Sequence, residues 1–281
     1  MRFLIGIIVV FGCVIGGYSI HGNLLVLWQP IEILIIFGGA VGAFIIGNNG
    51  GIVKSAPKVF GWAFKTSPYN DKDYIELLQF LFELFKLMRN KGLLQIESHI
   101  ENPKESDLFN KYPSFANNAQ AVLFFCDNIR LMTLGVENKY LLDEAMEKEI
   151  ENIIHEDLST AKALQTFGES LPALGIVAAV LGVIVTMGSI SEPPEILGHL
   201  IGAALVGTFL GILLAYGVFS PLGHFAEHYV EEKKAFLECI RTGIVSYLQG
   251  SAPTICIELV RKQVPHHNQP SFNDFDKIIN G

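Results

Sequence analysis

Charge is what this chain is short of. Asp, Glu, Lys and Arg make up 17% of its 281 residues against 50% hydrophobic residues, which excludes an ordinary soluble domain. Basic excess is missing too, since the net charge is -8, and this argues against a nucleic-acid partner because phosphate binding needs concentrated Lys and Arg. Cysteine is sparse. Cys13, Cys126, Cys239 and Cys256 form no CxxC pair and no metal-ligand spacing, so they read as free thiols filling small apolar sites. Nucleophile elbow, HExxH and P-loop are absent; Gly38, Gly39, Gly42 and Gly47 lead to no GK[ST] ending and read as helix-packing residues. No internal repeat stands out. These absences leave no sign of an enzyme, a cofactor or a metal. His224 and His228 share a helix face at i and i+4, but no third ligand accompanies them, and His266 and His267 fall in a polar tail.

What is present is four uncharged apolar runs, Phe3 to Ile20, Ile33 to Val53, Leu171 to Ile190 and Leu197 to Leu222. A spanning helix needs roughly 20 apolar residues, so each is expected to cross a bilayer. The first has the positive start of a secretory signal at Arg2, yet no clean cleavage site follows, and a retained helix is the simpler reading. All 20 Lys and Arg fall at Arg2, between Lys54 and Lys162, or after Leu222. The short connections carry only Glu32, Glu192 and Glu195, so the positive-inside rule places them outside and both termini in the cytoplasm.

The segment between the second and third spans is long enough for a small domain, and it is expected to be helical. Tyr74, Leu77, Leu78, Leu81, Phe82, Phe85 and Met88 recur with helical period behind an N-cap at Asn70 or Asp71, and Gly92 ends the helix. A short helix from Leu93 to Glu101 stops before Pro103, and another is expected from Phe115 to Leu134. From Lys139 the pattern runs unbroken into the third span. The fourth continues past Pro221 to near Gly250, and the two extensions should pack together as a stalk. The tail after Pro265 has little to bury and reads as mobile. The fold class is thus an all-α membrane protein with four transmembrane helices and a helical cytoplasmic domain between spans 2 and 3. The expected regions are residues 1–53, 54–165, 166–222 and 223–281.

Within the last pair of spans, small residues recur at four-residue spacing, Gly175 and Ala179 in one, Gly207, Gly211 and Ala215 in the other. Such stripes let helix backbones approach closely in lipid. Thr186, Ser189, Thr208 and His199 lie within or at the edge of these spans, and no carboxylate, Lys or Arg does. If the pair lines an ion path, the titratable group must come from another polypeptide. Pro172 and Pro221 sit where the pair meets the cytoplasm, each removing an N–H donor.

The stretches Leu171 to Ala179, Val206 to Gly217, Ser220-Pro221-Leu222, and Met88 to Gly92 through Glu101 to Ser106 resemble the flagellar motor stator A subunit family (MotA), over nearly the whole chain. The resemblance implies an inner-membrane proton channel that turns proton flow into torque. It implies a partner B subunit that grips peptidoglycan and supplies the proton-carrying Asp, with five A chains around two B chains. Thr208, Ala179 and Thr186 would line the ion path, Ala179 favouring protons where sodium-using relatives place Thr. Pro172 and Pro221 would couple proton passage to movement. Arg89 and Glu97 would meet the rotor's torque ring. The alternatives are a TolQ- or ExbB-like energiser of outer-membrane processes, which has three spans, and a passive membrane scaffold.

Overall fold

The computed structural model describes residues 2–65, 67–135 and 138–280. Among these residues every regular element is a helix. The chain divides into two compact units, residues 1–66 with 156–229, and residues 67–155 with 230–281.

The first unit holds α1 (Arg2–Ser19), a short 3-10 turn (Leu24–Leu27), α2 (Pro30–Gly47) and α3 (Gly50–Ala63). It also holds residues 156–188 of the 50-residue helix α9 (Lys139–Gly188), then α10 (Pro194–Leu214) and the start of α11 (Ser220–Leu248). The segments Leu24–Gly47, Lys139–Gly188 and Pro194–Leu248 are long and apolar enough to cross a membrane; Phe3–Ser19 is a shorter apolar helix. The core of this unit is Ile36, Ala40, Phe167, Leu171, Ala178 and Ala215, with Phe37, Phe44 and Phe219 packed against it.

The run from Ile33 to Val53, expected as one span, is broken. Asn48 adopts an extended backbone and its Nδ2 donates to the Phe44 carbonyl at 2.8 Å, closing α2. The Asn49 side chain then accepts from the Ile52 N–H at 3.0 Å and caps α3. Two adjacent asparagines, flanked by Gly47 and Gly50, thus stop one helix and start the next.

The second unit is built around α4 (Asp71–Lys91). Asn70 caps it through a reciprocal capping box with Asp73. Gly92 ends it at φ 82°, a conformation that a residue with a Cβ rarely takes, and its N–H donates to the Met88 carbonyl at 2.9 Å. Next come α5 (Leu94–Glu101), the single turns α6 (Asp107–Asn110) and α7 (Pro113–Ala116), and α8 (Ala119–Thr133). The helix expected from Phe115 to Leu134 is therefore two pieces, because Asn118 leaves helical geometry and caps α8 by accepting from the Ala121 N–H.

Aromatic rings fill this second core. Phe80 lies 4.8 Å from Phe109, 4.5 Å from Phe115 and 5.1 Å from Phe125, centroid to centroid. Residues 139–155 of α9 and residues 230–248 of α11 meet through Arg241, which donates to Asp143 at 2.6 Å and Glu147 at 3.0 Å.

The tail departs from expectation. Ahead of it α12 (Pro253–Gln263) buries Ile257 and Val260, with Val264 just beyond; after Pro265 the tail itself forms α13 (Phe272–Asn280) and buries Phe275. Arg261 ties the two together, stacking over the Phe275 ring at 5.8 Å and donating to the Pro270 carbonyl at 3.0 Å. Asn268 donates to Asp71 at 2.7 Å, joining the tail to the start of α4.

Candidate functional site

The sequence directs attention to the pair α9 and α10, and the structure brings them together along a seam of glycines. A Cβ built on Gly175 would stand 2.9 Å from the Gly207 carbonyl oxygen and 3.3 Å from the Gly211 Cα; one built on Gly211 would stand 2.7 Å from the Leu171 carbonyl oxygen. Gly182 repeats the close approach one level along, against Ala204. Backbones touch at these positions, so any side chain beyond hydrogen would force the helices apart.

Thr208 and Ala179 fall on this seam. The Thr208 Cα would be 3.4 Å from a Gly175 Cβ, and the Ala179 nitrogen 3.6 Å from a Gly207 Cβ. Thr186 lies further along α9, buried, and its hydroxyl donates to the Gly182 carbonyl at 2.8 Å, so its proton is used within its own helix. Of the three residues assigned to the ion path, two lie on the seam and the third stands apart.

One seam residue escaped sequence reasoning. Glu32 occupies the first turn of α2, half-buried, and its Cγ would be 3.6 Å from a Gly207 Cβ. The sequence reading places Glu32 in the outer connection and expects the titratable group of an ion path to come from another polypeptide. Spans 3 and 4 carry none, but α2 leans a carboxylate against them. The available signal was Pro30 with Glu32 two residues on, the pattern of a helix start that favours an acid near its N–H groups.

Each of the two prolines leaves its helix short of one hydrogen bond. Pro172 lies inside α9 and cannot donate to the Gly168 carbonyl; Pro221 lies in the first turn of α11 and cannot donate to the Gly217 carbonyl. Gly168 packs directly on Phe219 and Ser220, where an added Cβ would be 3.0 Å from the Ser220 nitrogen. Between α10 and α11 the ladder widens to a π turn (Ala215–Phe219), closed by the Ser220 N–H donating to the Ala215 carbonyl. The Ser220 Oγ is buried without a hydrogen-bond partner among the described residues. Such a turn inserts one residue into the helix, and it is often found where helices change shape. Periodicity could not announce it.

Arg89 is exposed in the last turn of α4 and Glu97 is exposed in the first turn of α5, on either side of Gly92. Neither makes an ion pair among the described residues. The geometry of α5 is braced from behind: Arg130 on α8 donates to Glu101 on α5 at 2.8 Å and to Asp127 at 2.7 Å. Alongside runs an open groove of about 750 Å³, lined by Ile100, Leu123 and Arg130 among others. His224 lies 3.5 Å from Glu227, and the described residues include no group of three metal-ligating side chains.

Residues 4–92 match the Motility protein A N-terminal family, and residues 119–238 match the MotA/TolQ/ExbB proton channel family. Motility protein A of Salmonella typhimurium is 41% identical over 280 residues, which cover 99% of this chain and 95% of that one. This chain belongs to the Motility protein A family. The fold agrees with solved structures of relatives. The structure of C. jejuni MotAB matches with a TM-score of 0.78 at 23% identity, covering 94% of this chain and 96% of that one. The flagellar MotAB stator complex from Bacillus subtilis matches with a TM-score of 0.73 at 25% identity, covering 98% of each chain.

Proposed function

We infer that the chain is the A subunit of a flagellar motor stator, an inner-membrane protein that forms a proton channel with a B subunit and converts proton flow into torque on the rotor. The observation that carries this reading is the glycine seam of α9 and α10, with Thr208 against Gly175 and with Ala179 and Glu32 against Gly207, along runs 171–190 and 197–222 that hold no charge. In our reading the chain spans the membrane four times with both termini in the cytoplasm, and five copies surround two B chains. The match of residues 4–92 to the Motility protein A N-terminal family favours this over a TolQ- or ExbB-like energiser.

The chemistry follows from burial. A carboxylate held in a dry helix bundle has a raised pKa and exchanges its proton near neutral pH. The B subunit's Asp is that group in our reading, and it docks against Thr208. Ala179 offers no hydroxyl to replace the water shell of a metal cation, which favours protons. Each charge crossing 100 mV supplies about 2.3 kcal/mol. Neutralising the Asp alters its fit against the seam, and the seam ends at Gly168, where Pro172, the π turn and Pro221 leave both helices short of hydrogen bonds and able to bend. Arg89 and Glu97, exposed and unpaired, suit contacts with the torque ring that form and break repeatedly, because exposed pairs are weak and screened by salt.

The test is cytoplasmic pH in cells expressing the chain with its B subunit, the plug of that subunit removed. Acidification is expected, and it should vanish when the partner's Asp is changed to Asn. Sodium entry in place of acidification would overturn the ion assignment, and no flux of either ion would leave a scaffold. Arg89→Ala should lower torque on a tethered rotor with proton influx unchanged; loss of influx would remove Arg89 from the rotor contact.

A further inference from the structure

Helix α3 has one face committed and another left open. Ser55, Ala56, Val59 and Ala63 are buried. Val59 and Ala63 pack with Ala161, Leu164, Leu222 and Ala226, the Ser55 hydroxyl lies 2.8 Å from that of Thr160, and Trp62 stacks on Tyr229 with centroids 5.1 Å apart. These contacts fix the rotation of α3 about its axis. At 100° per residue, the arc directly opposite the buried face carries Pro57 and Gly61, and the space around Gly61 is open.

The two edges of that arc differ sharply. One carries Phe60 and Phe64, 40% and 62% exposed. The other carries Lys54 and Lys58, one turn apart, and Lys65 extends it just past the helix end; all three are exposed and none makes an ion pair among the described residues. The Phe60 ring meets Phe219 edge-on at 6.4 Å and leaves its other side open, Phe64 is exposed, and a carboxylate-free row of lysines lacks the partners that helix surfaces commonly supply at i+4. Only two residues separate α3 from the uncharged end of α2, so it starts where an apolar run stops. Phe on one edge and Lys on the other is the pattern of a helix lying in the boundary between acyl chains and headgroups.

We propose that the open face of α3 binds anionic phospholipid, Phe60 and Phe64 entering the acyl boundary while Lys54, Lys58 and Lys65 contact the phosphates. The inference rests on the membrane reading of the first unit. The negative surface of the inner leaflet attracts such lysines at short range, and salt screens the attraction. The surface would hold the turn between α2 and α3 at a fixed depth, against the same α9 and α11 segments that flank Pro172 and Pro221.

The full chain with Trp28→Phe, Trp62→Phe and Phe64→Trp carries one tryptophan, on the proposed edge. It is reconstituted in phosphatidylcholine vesicles containing either brominated phosphatidylglycerol or brominated phosphatidylcholine, and quenching is titrated against mole fraction. Half-maximal quenching is expected at about fivefold lower mole fraction of the anionic lipid, roughly the effect of one lysine at a membrane surface. Lys→Gln at positions 54, 58 and 65 together should abolish the difference, Lys→Arg should keep it, and 0.5 M salt should shrink it. Equal quenching by the two lipids, or a preference that survives the Gln variant, overturns the proposal. A second chain carrying only Trp62→Phe reports insertion separately through Trp28. Quenching of Trp28 there, with neither lipid quenching the Phe64→Trp chain, would mean that a second copy or another protein covers the face, overturning the lipid surface and leaving the membrane reading intact. Quenching in neither chain would overturn both.

Discussion

The two units of this chain solve the same problem, joining helices, by opposite means. In the first, α9 and α10 meet with at most a methyl between them: Gly175 and Gly211 face backbone, while Gly182 and Gly207 face the β-carbons of Ala204 and Ala178. In the second, helices are held apart by rings and tied by charges, with Phe80, Phe109, Phe115 and Phe125 in contact and Arg130 and Arg241 each reaching two or more carboxylates. In our proposed reading the difference follows from solvent. Where water surrounds a unit, burying large apolar area drives association. Where lipid surrounds it, tails are as apolar as Leu, and close backbone packing is what remains.

If that contrast is right, the second unit is broken by removing bulk and the first by adding it. The largest effect is expected from Phe80→Ala, which empties a site touched by four other rings, Tyr112 included. It should cost about 3–5 kcal/mol, read as a lower midpoint of urea unfolding followed by Tyr fluorescence. A loss under about 1 kcal/mol would mean the rings are not the core that the structure makes them.

Gly211→Ala should rank second, at about 1–3 kcal/mol, because the new methyl would meet the Leu171 carbonyl oxygen at 2.7 Å and neither backbone can step aside. Gly207→Ala sharpens the comparison. Its methyl would meet the Ala178 Cβ at 3.2 Å, a contact that a shift of tenths of an ångström relieves, so its effect on thermal aggregation in detergent should be the smaller of the two. Equal tolerance of both would show that the seam is not closed at Gly211.

How far these contrasts could be read from the residues depends on whether a signal is local. The 50-residue helix α9, the Asn70 cap, the Gly92 stop and the Gly175, Gly207 and Gly211 stripe were all legible, because periodicity, capping and small-residue spacing are written along one helix. The break at Asn48 and Asn49 carried a local signal, the run Gly47-Asn48-Asn49-Gly50-Gly51, which a reading by apolar length alone passed over. The π turn at Ala215–Phe219 left no mark, since one extra residue in an apolar run changes no pattern. Glu32 and Phe275 were missed for a different reason. One is an acid between Ile31 and Ile33, the other a ring between Asp274 and Asp276, and only the neighbouring helices that pack on them decide that they are sheltered.

The smallest predicted effect probes a charge that the second unit shelters rather than exposes. Burial raises the pKa of Glu149 above its ordinary value, the Asn128 amide that donates to it at 2.8 Å pulls the other way, and nearby Asp127 adds to the rise. A carboxyl whose folded pKa lies above its unfolded value binds its proton more tightly when folded. Its contribution to stability is therefore full below the unfolded pKa and is lost as pH climbs through the folded one. Glu149→Gln keeps an acceptor for Asn128 and removes the titration, so it should stabilise the chain at pH 7 by less than about 1 kcal/mol. The gain should fade as the pH drops below the ordinary glutamate range, where the native side chain is protonated too. A gain that is the same at both ends of the range would assign it to packing, and the contrast between a charge-tied unit and an uncharged seam would then rest on Arg130 and Arg241 alone.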